Sequence, residues 1–153
     1  MNNNDIIRKI RYIFDYNDST MLKIFKLAEK EVSIEELSNW LKRDEDENFV
    51  GIYDKDLASF LNGFINEKRG KREGEQPKPE KTLNNNIILR KLKIALNLKD
   101  TDVIDMLDLA GLKFSKHELS AFFRKPDQKQ YRACKDQFLR NFLYGMELKY
   151  KKK

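Results

Sequence analysis

Apolar residues in this 153-residue chain recur every three to four positions in short runs separated by polar breaks, which is the period of amphipathic helices. Ile6, Ile7, Ile10, Ile13 and Phe14 share one helical face, with Asn4 standing where an N-cap belongs. Asp18 stands as the cap of a second helix carrying Met21, Ile24, Phe25 and Ala28. Ser33 and Glu36 then have the spacing of a capping box, and Val32 and Leu37 stand where a hydrophobic staple closes. That start predicts a third helix on which Trp40, sharing one stripe with Leu37 and Leu41, is buried. Asp54 precedes the longest run, with Leu57, Phe60, Leu61, Phe64 and Ile65 on one face. Gly63 interrupts this last helix. A mid-helix glycine costs about 1 kcal/mol relative to alanine, so its presence predicts a close crossing with another helix.

The pattern then begins again. NNNDIIRKIRYIF near the start returns as NNNIILRKLKIAL from Asn84, and a shift of 82 positions superposes residues 2–71 on 84–153 without a gap. Identities fall at Asn4/Asn86, Arg8/Arg90, Asp18/Asp100, Ser33/Ser115, Glu36/Glu118, Asp54/Asp136, Phe60/Phe142 and Gly63/Gly145, among others. The predicted fold is therefore all-α, a tandem duplication of a four-helix unit with about eight helices in total. Residues 1–68 form the first repeat, 69–83 a linker and 84–153 the second repeat. The linker, RGKREGEQPKPEKTL, has no core face and reads as exposed. A unit of this size buries a marginal share of its apolar surface alone, which favours packing of the two repeats about a pseudo-two-fold axis over two independent beads.

Taken together, NNNDIIRKIRYIF, EVSIEELSNWLKRDEDENF and DLASFLNGFINEKRGK resemble the YehS-like family of small bacterial proteins, DUF1456, a domain of unknown function. The resemblance covers both repeats and the linker. It implies a bacterial protein with a tandem helical repeat, and it supplies no catalytic or binding residues to carry over. The repeats diverge most after the third helix, where RDEDENF is replaced by KPDQKQY.

Composition narrows the setting. With 40% hydrophobic and 37% charged residues the chain reads as a soluble globular protein. No apolar run approaches the roughly 20 residues of a membrane span, and the polar start MNNND lacks a secretory signal, so a cytoplasmic location is expected. The single cysteine, Cys134, excludes an internal disulfide framework and a cysteine-based zinc cluster.

Signatures of catalysis are missing as well: there is no phosphate-cradling glycine loop, no zinc helix and no nucleophile elbow. The only histidine, His117, falls in the first turn of the seventh helix, where the first repeat has Glu35, and reads as solvated. Cys134 replaces Ile52 and reads as a small apolar residue rather than a reactive thiol. The acidic run Asp44–Glu47 fails as a calcium loop, since Phe49 stands where glycine must turn and Lys55 where the bidentate glutamate belongs. A solvated loop with Phe49 turned into the core is expected instead. No catalytic residue, cofactor or metal ligand is assigned, and the protein is expected not to be an enzyme.

Charge separates the repeats. Residues 1–68 carry 10 Lys/Arg against 14 Asp/Glu, 69–83 carry 5 against 3, and 84–153 carry 16 against 8, for net charges of −4, +2 and +8. Two functions follow. The first is a protein-interaction or adaptor module with a bipolar surface. The alternative is nucleic-acid binding by the basic repeat through Arg124, Lys125, Lys129, Arg132 and Lys135, with Tyr131 to stack and the KYKKK tail to add phosphate contacts. A helix-turn-helix built on MLKIFKLA and IEELSNWL is disfavoured, because Glu35 and Glu36 would meet phosphate and the turn lacks its usual glycine. Arg8, Arg11, Arg90 and Lys93 are placed on solvated outer faces of the first helix of each repeat.

Overall fold

The computed structural model describes residues 1–151 and contains eight α-helices, with no strand among the described residues. The chain divides into two compact units, Met1–Leu83 and the remainder from Asn84. In the first, α1 (Asn3–Phe14), α2 (Asp18–Leu27), α3 (Ile34–Leu41) and α4 (Asp54–Arg69) enclose one core. In the second, α5 (Asn85–Ala95), α6 (Asp100–Leu109), α7 (Lys116–Ser120) and α8 (Asp136–Tyr150) repeat the order. Here α7 is cut short and passes into a 3-10 turn at Ala121–Phe123, where the first unit keeps a full helix.

The main packing in each unit sets its second helix against its fourth, α2 on α4 and α6 on α8. Glycine makes this possible. A Cβ on Gly63 would collide with the Ile24 carbonyl, and one on Gly145 with the Met106 carbonyl, so backbone meets backbone at the same place in both units. Trp40 and its counterpart Phe122 are buried as the stripe predicts. The aromatic clusters nevertheless differ. Phe25 packs at a tilt against Phe60 at 5.2 Å and Trp40 at 5.6 Å in the first unit, whereas Phe122, Phe114 and Phe138 gather at the entry to α8 in the second.

The asparagine triplets explain why NNN occurs twice. Asn2 and Asn84 are the true N-caps, accepting from the backbone N–H three residues on at 2.8 Å, so the cap lies two residues before the Asn4 expected from sequence. Asn4 is instead buried. Its amide donates to the Trp40 and Val50 carbonyls, both at 2.9 Å, and its oxygen accepts from Ile52 N–H. Asn86 repeats this with Phe122, Arg132 and Cys134. Asn3 and Asn85 donate to the Ile52 and Cys134 carbonyls and to Asp54 and Asp136, the first residue of α4 and α8. Each triplet thus pins the long loop that follows the third helix. A burial pattern read for apolar residues alone misses such a polar clamp.

Other local expectations shift slightly. Asn17 caps α2 rather than Asp18, and Phe49 is half-buried at the loop rather than in the core. Arg11 and Lys93 are not merely solvated, since they pair with Asp18 at 3.3 Å and Asp100 at 2.6 Å and tie the first helix of each unit to the second. Arg8 donates to the Lys42 carbonyl and pairs with Asp5 and Asp44, while Arg90 is exposed as expected. The segment 70–83 is mostly exposed and is fastened to the first unit by Asn66 to Gln76 and by Leu83 N–H to Asp54.

Candidate nucleic-acid interface

The predicted basic residues lie on one loop, 124–135, between the 3-10 turn and α8. Its backbone is fixed from within. Arg132 N–H donates to the Ala121 carbonyl at 3.1 Å, Asn86 holds the Arg132 carbonyl, and Gln128 closes a turn by accepting from Lys125 N–H at 2.9 Å. With its main-chain groups so occupied, the loop turns its side chains outward. Lys125, Lys129, Arg132 and Lys135 are exposed, and Arg124 and Tyr131 are half-buried. Lys152 and Lys153 of the KYKKK tail lie outside the described residues.

Arg124 and Arg132 line one shallow cleft of about 220 Å³ together with His117, Glu118, Ala121 and Gln130. The Arg132 guanidinium lies over Phe122 at 5.6 Å and Phe114 at 6.0 Å, a cation–π arrangement that limits its freedom. Arg124 Nε is sealed from solvent and has no hydrogen-bond partner. Glu118 is the single acid at the rim. Its carboxyl is held below the usual glutamate range by the Ser115 backbone N–H first and the Ser115 hydroxyl next, with smaller help from Arg132 and His117.

None of Arg124, Lys125, Lys129, Arg132 or Lys135 forms an ion pair among the described residues. The corresponding stretch of the first repeat behaves differently. Asp44 is taken up by Arg8 and by Asn2, and Lys42 donates to Asn39 at 3.0 Å. The first loop thus has one of its charges in an ion pair, while none of the five cations of the second is in one among the described residues.

His117 and Gln130 join the cleft without having been singled out as binding residues; only folding brings positions so separated together. Cys134 is buried beneath the loop, and burial first, with Asp136 second, pushes its thiol up to about 12, so it stays protonated at neutral pH and packs as an apolar group. No cluster of three or more His, Cys, Asp or Glu side chains suited to a metal ion occurs among the described residues. Nor is any helix among them long and apolar enough to cross a membrane.

Two matching four-helix units, each with its asparagine clamp and glycine crossing, define a tandem helical repeat protein, and the chain belongs to the DUF1456 family of proteins of unknown function. The family pattern matches twice, at residues 3–70 and 85–152, once per repeat. The chain is also 43% identical over 147 residues, covering 95% of its length and 94% of the relative, to the uncharacterized protein YehS of Escherichia coli K12. No solved structure matches it.

Proposed function

We propose that this protein is a non-catalytic binding module, and that the loop 124–135 of its second repeat takes the phosphate backbone of nucleic acid. The observation that carries this reading is the set of five cations on one pinned loop, none of which forms an ion pair among the described residues. Phosphate oxygens pair well with accessible guanidinium and ammonium groups. The net +8 of the second repeat adds a long-range attraction that the −4 of the first opposes. Contacts of this kind position a strand without reading its bases, so binding is expected to be weak in sequence preference.

Titration of fluorescent single-stranded and duplex oligonucleotides at low salt tests the proposal. Replacing Arg124, Lys125, Lys129 and Arg132 together by glutamine is expected to lower the affinity and to reduce the salt slope by roughly 0.7 to 0.9 for each phosphate no longer neutralised. Replacing Lys42 and Arg43 in the first repeat is expected to change little. Absence of binding to DNA and RNA at low salt overturns the reading. The protein-partner reading then leads, and it has its own support in the exposed Ile34, Val50 and Tyr53 of the first repeat.

A further inference from the structure

The first repeat has a cleft at the place where the second has its Arg124 and Arg132, but its lining is of another kind. It lies between α3 and the segment entering α4, measures about 200 Å³, and is walled by Glu36, Asn39, Trp40, Val50, Tyr53 and Asp56. Trp40 is only 5% exposed, whereas Tyr53 at the rim is 79% exposed and Val50 46%. In the second repeat the positions of Val50, Tyr53 and Asp56 are held by Arg132, Lys135 and Phe138, so the open phenol and the second carboxylate belong to the first repeat alone, while Glu36 has its counterpart in Glu118.

The carboxylates have capacity left. Glu36 accepts from Ser33 N–H through one oxygen, at 3.1 Å, and its other oxygen makes no hydrogen bond among the described residues. Asp56 meets Lys30 at 3.4 Å, a long pair whose lysine is itself well exposed and so exchangeable. An open phenol ring beside two carboxylates, on a repeat of net charge −4, suits a cation carried on an apolar stem.

We propose that this cleft docks an arginine or lysine side chain from a cationic segment of a partner protein, with Tyr53 covering the charged head and Glu36 and Asp56 neutralising it. This rests on the protein-partner reading and is independent of the loop 124–135. It makes the protein an adaptor with two chemically distinct surfaces, one per repeat.

Trp40 is the only tryptophan in the chain and lines the cleft, so its emission reports occupancy directly. Titration with a hexa-arginine peptide at low salt is expected to change that emission saturably, while a hexa-glutamate peptide leaves it unchanged. Tyr53→Ala is expected to weaken binding roughly five-fold, Tyr53→Phe to restore it, and Arg124→Gln with Arg132→Gln to leave it intact. The last variant separates this proposal from the nucleic-acid one, since it impairs only the latter. An emission indifferent to hexa-arginine, or a response that Tyr53→Ala keeps in full, overturns the proposal. So does a shift produced by raising the protein concentration alone, which would place a second copy of the chain in the cleft.

Discussion

Asn4 and Asn86 make the same three hydrogen bonds 82 positions apart, yet the loops they hold carry opposite charge. Buried polar groups and backbone crossings leave little latitude, because an unmade hydrogen bond or an added methyl group is felt at once in a close-packed interior. Exposed loop positions carry no such constraint. The first repeat has therefore come to hold Asp44 and Val50 where the second holds Pro126 and Arg132, on a frame that hardly differs. The frame is the constant part of the repeat and the rim is where its charge changes.

The sharpest way to break this symmetry is through the crossings. Gly63→Ala and Gly145→Ala each drive a methyl group into a carbonyl of the facing helix, and each is expected to destabilise its unit by about 3 kcal/mol or more. Trp40 fluorescence reads the first unit and circular dichroism reads both, so urea titrations distinguish the two variants. A midpoint unmoved by either substitution means that the helices do not meet there. Next come Asn4→Ala and Asn86→Ala, which leave two carbonyls and one N–H without their partner in a buried site. About 2 to 3 kcal/mol is expected from each, and unequal losses would show that the clamp matters more to one loop than the other.

Much of the frame was legible in the sequence, because helical periodicity and capping spacing are local properties of the chain. The duplication, the glycine crossings, the capping boxes at Ser33 and Ser115 and the burial of Trp40 are all of this kind. The asparagine clamp was not legible, since its partners lie 36 to 48 residues away. Nor was the cleft, which depends on His117 and Gln130 being carried to Arg124 and Arg132 by the turn of α7. Basic composition pointed to the loop 124–135, but the absence of internal ion pairs there became visible only once the acids of the second repeat had been placed.

A smaller effect compares one turn in its two versions. Glu29 and Gly111 occupy equivalent positions after α2 and α6, both with positive φ, of 60° and 82°. Only glycine takes this conformation without crowding its Cβ, so the first repeat holds a strain that the second lacks. Glu29→Gly is expected to stabilise the first unit by about 1 kcal/mol, and Gly111→Ala to destabilise the second by a similar amount. Thermal unfolding decides it, and a destabilised Glu29→Gly protein would mean that the Glu29 side chain contributes more than the turn costs.

The capping boxes give the last and finest comparison, because they are built alike and one of them carries a titration. Ser33 and Ser115 each accept from the N–H of a glutamate three residues on, at 3.0 Å, and each N–H donates back to that glutamate at 3.1 Å. Ser33→Ala and Ser115→Ala are each expected to cost about 1 kcal/mol at neutral pH. In the second repeat the Glu118 carboxyl is held below its ordinary value of 4.5 by these same Ser115 groups. A carboxyl with a lowered folded value adds stability that is complete above the unfolded value and disappears as pH falls through the folded one. The gap between the native protein and Ser115→Ala should accordingly narrow on acidification below pH 4.5, as the glutamate gains a proton and the share of its stabilisation that comes from the Ser115 hydroxyl is lost. Chemical denaturation at a series of pH values, with Glu118→Gln as the variant that cannot titrate, measures this. A gap that stays constant from neutral pH down to the point of acid unfolding would mean that the Ser115 hydroxyl does nothing for the Glu118 carboxylate, whose bond from the backbone N–H survives in the alanine variant.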